Sequence, residues 1–239
     1  MEFFETLASH FESTFIKDNR YKIFLTGLEN TLLITVVAAL IGAVVGILIA
    51  AVRYFAGERQ RRKTVGGTLL RVLDKIFGAY VAVMRGTPMA IQLMIWAFVI
   101  LAGKDKITVA CISFGLNSAA YVSEVIRGGI NAVDIGQMEA GRSLGLNRVT
   151  TMRLIILPQA IKTILPALCN EGIAVLKETS IVGMVAVVDL TRASELVRSR
   201  TLLPFFPLVS VAIVYFILVF GLSEAVKVLE RRLAKSDRR

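Results

Sequence analysis

Glu139-Ala140-Gly141-Arg142-Ser143-Leu144-Gly145, followed by Ile155-Ile156-Leu157-Pro158, is a polar, glycine-punctuated stretch between strongly apolar ones. It reads as a cytoplasmic-type loop of a protein that otherwise lies in a bilayer. Just before it, Asp134-Ile135-Gly136-Gln137 has the form of a capping box: the Asp134 side chain can accept from the Gln137 backbone N–H, and the Gln137 side chain can reach back. A helix is then expected from Ile135 to Leu144, with Gly145 placed to end it in a left-handed conformation. Asn147 can cap a second helix that leads into Leu154–Pro158. The product is a short, stiff rod of about three turns, about 15 Å long, between two membrane helices. A rod with its own caps can transmit a push without melting. An ordinary capped loop helix without a partner fits the same residues.

Outward from this rod the chain is apolar. It has 239 residues, of which 55% are hydrophobic, and its mean hydropathy is +0.68. Asn30 to Val52 and Thr201 to Ser223 carry no charge, and each can cross a hydrocarbon core of about 30 Å at about 1.5 Å per residue. Five spans are expected: Leu25 to Tyr54, Val72 to Leu101 with an interruption at Arg85-Gly86-Thr87-Pro88, Ile107 to Ile130, Leu154 toward Val188, and Leu203 to Val228. The fourth contains Lys162, Glu171, Lys177 and Glu178, so a helix followed by a re-entrant piece also fits it. The fold class is therefore all-α integral membrane, with three regions. Residues 1–24 form an extracytoplasmic or interfacial segment, in which Phe4, Leu7, Phe11 and Phe15 suggest an amphipathic surface helix or a packing segment. Residues 25–228 form the transmembrane domain, with the rod's loop at 131–153, and residues 229–239 form a basic tail.

The net charge of +10 would suggest nucleic acid in a soluble protein. Here Arg59-Gln60-Arg61-Arg62-Lys63 and Arg231-Arg232-Leu233-Ala234-Lys235 flank apolar runs and lack interleaved aromatics. They read as positive-inside anchors against anionic lipid. Eighteen Lys and Arg fall between Arg53 and Lys75, between Arg127 and Lys162, and from Lys227 onward, against eight on the other side. That bias, with an odd number of spans, puts the N-terminus outside and the C-terminus in the cytoplasm. The start of the chain lacks the basic and compact apolar regions of a signal peptide.

Chemistry on this chain is sparse. His10 is the only histidine, and Cys111 and Cys169 lie in apolar stretches without ligand spacing. No nucleophile–base or metal constellation appears, and no G-x-x-x-x-G-K-[ST]. No catalytic residue, metal or cofactor is expected here. The polar residues inside the apolar regions are the functional candidates, because a charge in a bilayer needs a partner or water. Glu124 and Arg127 share a helix face, either as a structural ion pair or as part of a solute route. Lys177-Glu178-Thr179-Ser180 could serve a zwitterion, with Glu178 on an ammonium and Lys177, Thr179 or Ser180 on a carboxylate. Asn117, Ser118 or Tyr121 could also meet the carboxylate, and a local Lys–Glu pair at a helix break is the plain alternative. At Arg85-Gly86-Thr87-Pro88, proline removes a backbone donor and glycine adds freedom, giving a gate that rocks or a static kink.

The rod resembles the EAA signature of permease subunits of ABC importers: E-A-A, three residues, G, nine residues, I-x-L-P. Further matches are Arg85–Pro88, Asn117-Ser118-Ala119-Ala120-Tyr121, Glu124-Val125-Ile126-Arg127-Gly128-Gly129-Ile130, Pro158-Gln159-Ala160 and Lys177–Ser180. Together they are similar to the polar amino-acid branch, of histidine/glutamine/arginine type, over about Thr26 to Val188. The resemblance implies a type I importer permease fold. It implies that Glu139, Ala140, Gly141 and Gly145, with Arg142 among them, dock in a cleft on an ATPase subunit. Gly141 stands where alanine is usual, and it could let a partner approach closely. The resemblance also implies two ATPase subunits carrying ATP and Mg²⁺, an identical or homologous permease, a separate binding protein and a polar or charged amino acid as cargo, in the inner membrane of a prokaryote. An ion-gradient-driven secondary transporter is the alternative, although no internal repeat supports it.

Overall fold

The computed structural model describes residues 2–59 and 65–235. Residues 60–64, with most of the first basic cluster, and residues 236–239 lie outside them. The described residues form ten α-helices joined by short 3₁₀ and π turns, without strands. They are α1 (Glu2–Phe11), α2 (Tyr21–Arg59), α3 (Val65–Gly86), α4 (Met89–Ile95), α5 (Lys106–Asn131), α6 (Ile135–Ser143), α7 (Arg148–Thr151), α8 (Leu157–Glu178), α9 (Leu190–Thr201) and α10 (Phe206–Lys235). Four helical stretches are long and apolar enough to cross a membrane: Tyr21–Gly57, Lys106–Asn131, Arg148–Val185 and Phe206–Ala234. The fifth candidate is the pair Gly67–Gly86 and Met89–Ile100, bent by 111° at Thr87-Pro88. Four of the expected spans thus have candidates at their expected places, and the second coincides with the sharply bent pair.

Lipid-facing composition explains the long helices. α2 leaves Leu33, Val36, Leu40, Val44 and Leu48 exposed, and α10 leaves Val209, Ile213, Phe216, Ile217 and Phe220 exposed. A helix that is apolar all round suits an apolar solvent. α9, with three arginines in twelve residues, does not, and it lies between two spans as a short polar helix.

Two compact units divide the chain. The first comprises Met1–Ala38, Pro88–Phe114 and Ile173–Leu222. Its cores gather around Ile34, Leu93, Phe114, Val175 and Val182, and around Phe24, Leu190, Val197 and Val211. The second comprises Ala39–Thr87, Gly115–Gly172 and Ser223–Arg239. Its core is smaller, around Ile49, Val81 and Ala120. There α2 and α5 approach closely, and a Cβ at Gly46 would stand 2.5 Å from Val122 and 2.9 Å from the Ala119 carbonyl oxygen. Small residues that let backbones approach are the usual membrane packing device.

Candidate functional site

The rod forms as its caps require. Asp134 caps α6, but its side chain accepts from the Gly136 backbone N–H at 2.7 Å, not from Gln137 as the capping box implied. The Gln137 N–H is instead taken by the Asp134 carbonyl at 3.0 Å. With glycine two residues on, the short Asp side chain reaches the nearer donor. α6 ends at Ser143, one residue early, because Leu144 is already the C-cap. Gly145 has φ +81°, and Leu146 N–H donates to the Gly141 carbonyl while Gly145 N–H donates to Arg142. That is a Schellman end. Asn147 caps α7 by accepting from Thr150 N–H at 2.9 Å.

Glu139, Ala140, Arg142 and Gly145 are exposed on this rod. So are the apolar Ile135, Leu144, Val149 and Leu154. Gly141 is different: it is buried, and a Cβ there would stand 2.5 Å from the Thr151 methyl group and 3.2 Å from Ile155. Within the chain, the close approach it permits is made by Thr151 and Ile155. Glycine therefore replaces alanine because α6 packs tightly against Thr151 and Ile155.

At the end of α5 nearest the rod, Glu124 pairs with Arg127 as the spacing implied, through Arg127 Nε at 3.1 Å and Nη2. It also takes Arg53 of α2 at 2.7 Å and Arg85 of α3 at 3.7 Å. Arg53 reaches on to Asp74 at 3.3 Å, and the Arg85 guanidinium lies 5.2 Å from the centre of the Tyr121 ring. One carboxylate thus gathers cations from three helices. Nearby, Asn117 Nδ2 donates to the Met84 carbonyl at 3.1 Å and Ser118 Oγ to Glu171 at 3.0 Å. Both are almost fully buried, and these bonds tie α5 to α3 and to α8.

The break at Arg85–Pro88 opens a 111° bend. Thr87 Oγ1 donates back to the Val83 carbonyl at 2.8 Å, closing α3. Pro88 starts α4 with φ −62°, and its carbonyl accepts from Ile91 and Gln92.

Lys177–Ser180 lie in the other unit. The α-helix stops at Glu178, and a 3₁₀ segment runs Thr179–Val185 to a left-handed Ala186 at φ +66°. Thr179 is buried and donates to the Leu176 carbonyl at 2.7 Å. Lys177 and Ser180 line a cavity of about 540 Å³ together with Thr191, Ser194 and Tyr215 and an apolar wall from α10. The structure therefore brings Asn117, Ser118, Tyr121 and Glu124 together in one unit and Lys177 to Ser180 in the other.

Sequence reading missed Arg53 and Asp74 beside Glu124, and it missed a second group in the other unit. Asp189 is fully buried and caps α9 by accepting from Thr191 and Arg192 N–H at 2.9 and 3.0 Å. Tyr215 donates to it at 3.4 Å, Thr31 Oγ1 accepts from Leu190 N–H, and Asn30 donates to the Val188 carbonyl. Burial pushes its carboxyl above the usual carboxylate range, while the N–H bonds from Thr191 and Arg192 pull it down. An Asp directly before a polar helix was the available signal.

Residues 66–235 match the family described as "Binding-protein-dependent transport system inner membrane component". The chain belongs to this family. It is 40% identical to the putative glutamine transport system permease protein GlnP of Rickettsia bellii over 210 residues, 86% of this chain and 90% of that one. It is 38% identical to the arginine transport system permease protein ArtQ of Bacillus subtilis over 217 residues, 89% and 93% of the two. Among solved structures, one titled "Crystal structure of an amino acid ABC transporter with histidines" superposes with a TM-score of 0.80 at 36% identity, covering 89% of this chain and 94% of that one. The chain is a permease subunit of an ABC importer and an inner membrane component. These relatives lend no support to a gradient-driven secondary transporter.

Proposed function

We propose that the chain carries a polar or charged amino acid across the inner membrane, with its N-terminus outside and its C-terminus in the cytoplasm. Residues 1–24 are the extracytoplasmic or interfacial segment, 25–228 the permease domain and 229–239 the basic tail. The names of its relatives support the cargo class, and the bias of basic residues supports the orientation. The chain pairs with an identical or homologous permease and with two ATPase subunits that hold ATP and Mg²⁺. A separate binding protein delivers the solute. Catalysis lies on the ATPases, and this chain supplies none.

The observation that carries the coupling role is the rod, capped at both ends and offering Ile135, Leu144 and Val149 beside Glu139 and Arg142. ATPase closure pulls on this rod, and the path alternates between two states with the solute as differential ligand. The kink at Arg85–Pro88 is where the second span rocks. Among the path candidates, Asn117, Ser118 and Thr179 are buried with their polar groups engaged, so they hold the framework. Tyr121, Glu124, Lys177, Glu178 and Ser180 keep exposed surface and are the side chains that would meet cargo.

The test is gentle detergent purification of the tagged chain from its host, with mass spectrometry of what accompanies it. A stoichiometric P-loop ATPase is expected. A folded, monodisperse preparation without one would overturn the coupling role. Replacing Glu139 and Gly145 together should weaken ATPase recovery while the membrane part stays folded, and Glu178→Gln should lower solute-stimulated turnover while assembly survives.

A further inference from the structure

The second unit contains a cavity of about 290 Å³ that the transport reading does not use. Its walls include Arg53, Tyr54 and Gly57 at the end of α2, Asp74 of α3, and Arg127 and Asn131 at the end of α5. Asn131 is only four residues before the rod's first residue, so the cavity opens at the rod end of the spans. Two guanidiniums, Arg53 and Arg127, and one carboxylate, Asp74, line the cavity; both arginines share Glu124 with Arg85, neither of which is in the lining, and the five groups together hold one positive charge in excess. Arg53 spends Nε on Asp74 and Nη1 on Glu124, and Arg127 spends Nε and Nη2 on Glu124. Nη2 of Arg53 and Nη1 of Arg127 are outside these bonds, and both arginines line the cavity.

We propose that this cavity binds the phosphodiester headgroup of an anionic phospholipid from the leaflet at the rod end. One phosphate neutralises the excess charge, and guanidinium N–H groups match phosphate oxygens. The acyl chains have a place: the same stretches of α2 and α3 bare Phe55, Leu69, Val72 and Ile76. A basic pocket between membrane helices beside an anionic leaflet is a lipid site by charge and by position. Free phosphate shares the headgroup chemistry but gains nothing from the apolar flanks.

The experiment uses the full chain in non-ionic detergent. Retained lipid is read by native mass spectrometry, and melting by intrinsic fluorescence, with added phosphatidylglycerol, phosphatidylcholine or inorganic phosphate. Phosphatidylglycerol should be retained at least about fivefold more than phosphatidylcholine and should raise the melting temperature, while phosphate at equal concentration changes neither. Gly57→Leu adds an apolar side chain at the cavity wall and replaces no member of an ion pair, and a Cβ there meets nothing within 4 Å. It should cut phosphatidylglycerol retention at least about fivefold while the protein still melts cooperatively. Equal retention of the two lipids, or unchanged retention in Gly57→Leu, would overturn the site. Displacement of the lipid by inorganic phosphate at equal concentration would overturn its assignment to lipid and leave a free-anion site.

Discussion

Glu124 and Asp189 are two carboxylates in apolar surroundings, one in each unit, and the chain satisfies them by opposite means. Glu124, with its side chain 16% exposed, draws in three arginines from α2, α3 and α5. Asp189, with no exposure, has no cation within ion-pair distance among the described residues and is held by backbone N–H groups and a tyrosine hydroxyl. A charge-paired node costs little to part when water can replace a partner. A hydrogen-bonded node in a closed site must be kept whole or lost. The first design suits a place that moves, and the second suits a place that must not.

The comparison breaks most visibly at Glu124. Glu124→Ala leaves Arg53, Arg85 and Arg127 facing one another without their shared anion. Removing one partner of a fully buried pair costs about 3–5 kcal/mol. Half of the Arg127 side chain is exposed, and solvent screening lowers the expected loss to about 2–3 kcal/mol. Unfolding in mixed micelles measures it. A loss below about 1 kcal/mol would mean that water already screens the node.

At the other carboxylate, backbone contact decides. A Cβ on Gly27 would stand 2.7 Å from the Asp189 carbonyl oxygen and 2.8 Å from its carbon. Those are backbone atoms, which no rotamer change moves aside. Gly27→Ala should therefore destabilise the chain by about 1–3 kcal/mol through overpacking. The same substitution at Gly221, where a Cβ meets nothing within 4 Å, is the control. Equal melting of the two variants would show that the Asp189 junction yields.

Asp189 itself can be divided into cap and charge. Asp189→Ala removes the cap of α9 and should cost about 1–2 kcal/mol. Asp189→Asn keeps an acceptor and removes the titration. Burial raises the folded-state pKa of Asp189 above its unfolded value. The associated stability is then fully present below the ordinary carboxylate pKa and is lost as pH rises through the folded value. Wild type should lose stability relative to Asp189→Asn as pH climbs from the ordinary carboxylate range through the raised folded-state value. Parallel curves would show that the carboxyl titrates as in the unfolded chain.

Legibility in the sequence tracks the range of each interaction. The spans, the break at Arg85–Pro88 and the caps Asp134, Gly145 and Asn147 are local, so hydropathy and cap chemistry revealed them. The Glu124–Arg127 pair is three residues apart and was equally visible. Arg53 is 71 positions from Glu124 and joined it only through the packing of α2 on α5. Asp189 stayed hidden for the same reason: its burial comes from Gly27, Thr31 and Tyr215 on other helices. Gly141 could be seen as unusual, but its cause, the Thr151 methyl group above it, could not.

The smallest expected effect falls on the rod. Asp134 and Asp189 are both N-caps of helices between spans, yet Asp134 is exposed while Asp189 is closed off. Water can replace the Asp134 oxygen at the Gly136 N–H, so Asp134→Ala should cost about 0.5–1 kcal/mol. The loss should stay within α6, because the cap itself stands in solvent. Hydrogen exchange reads the difference. Gly136 and Gln137 amides should exchange several-fold faster in Asp134→Ala while the global melt barely moves, whereas Asp189→Ala should lower the melt itself. If Asp134→Ala moved the global melt as far as Asp189→Ala, the rod would be part of the fold's own support and less free to be pulled by a partner.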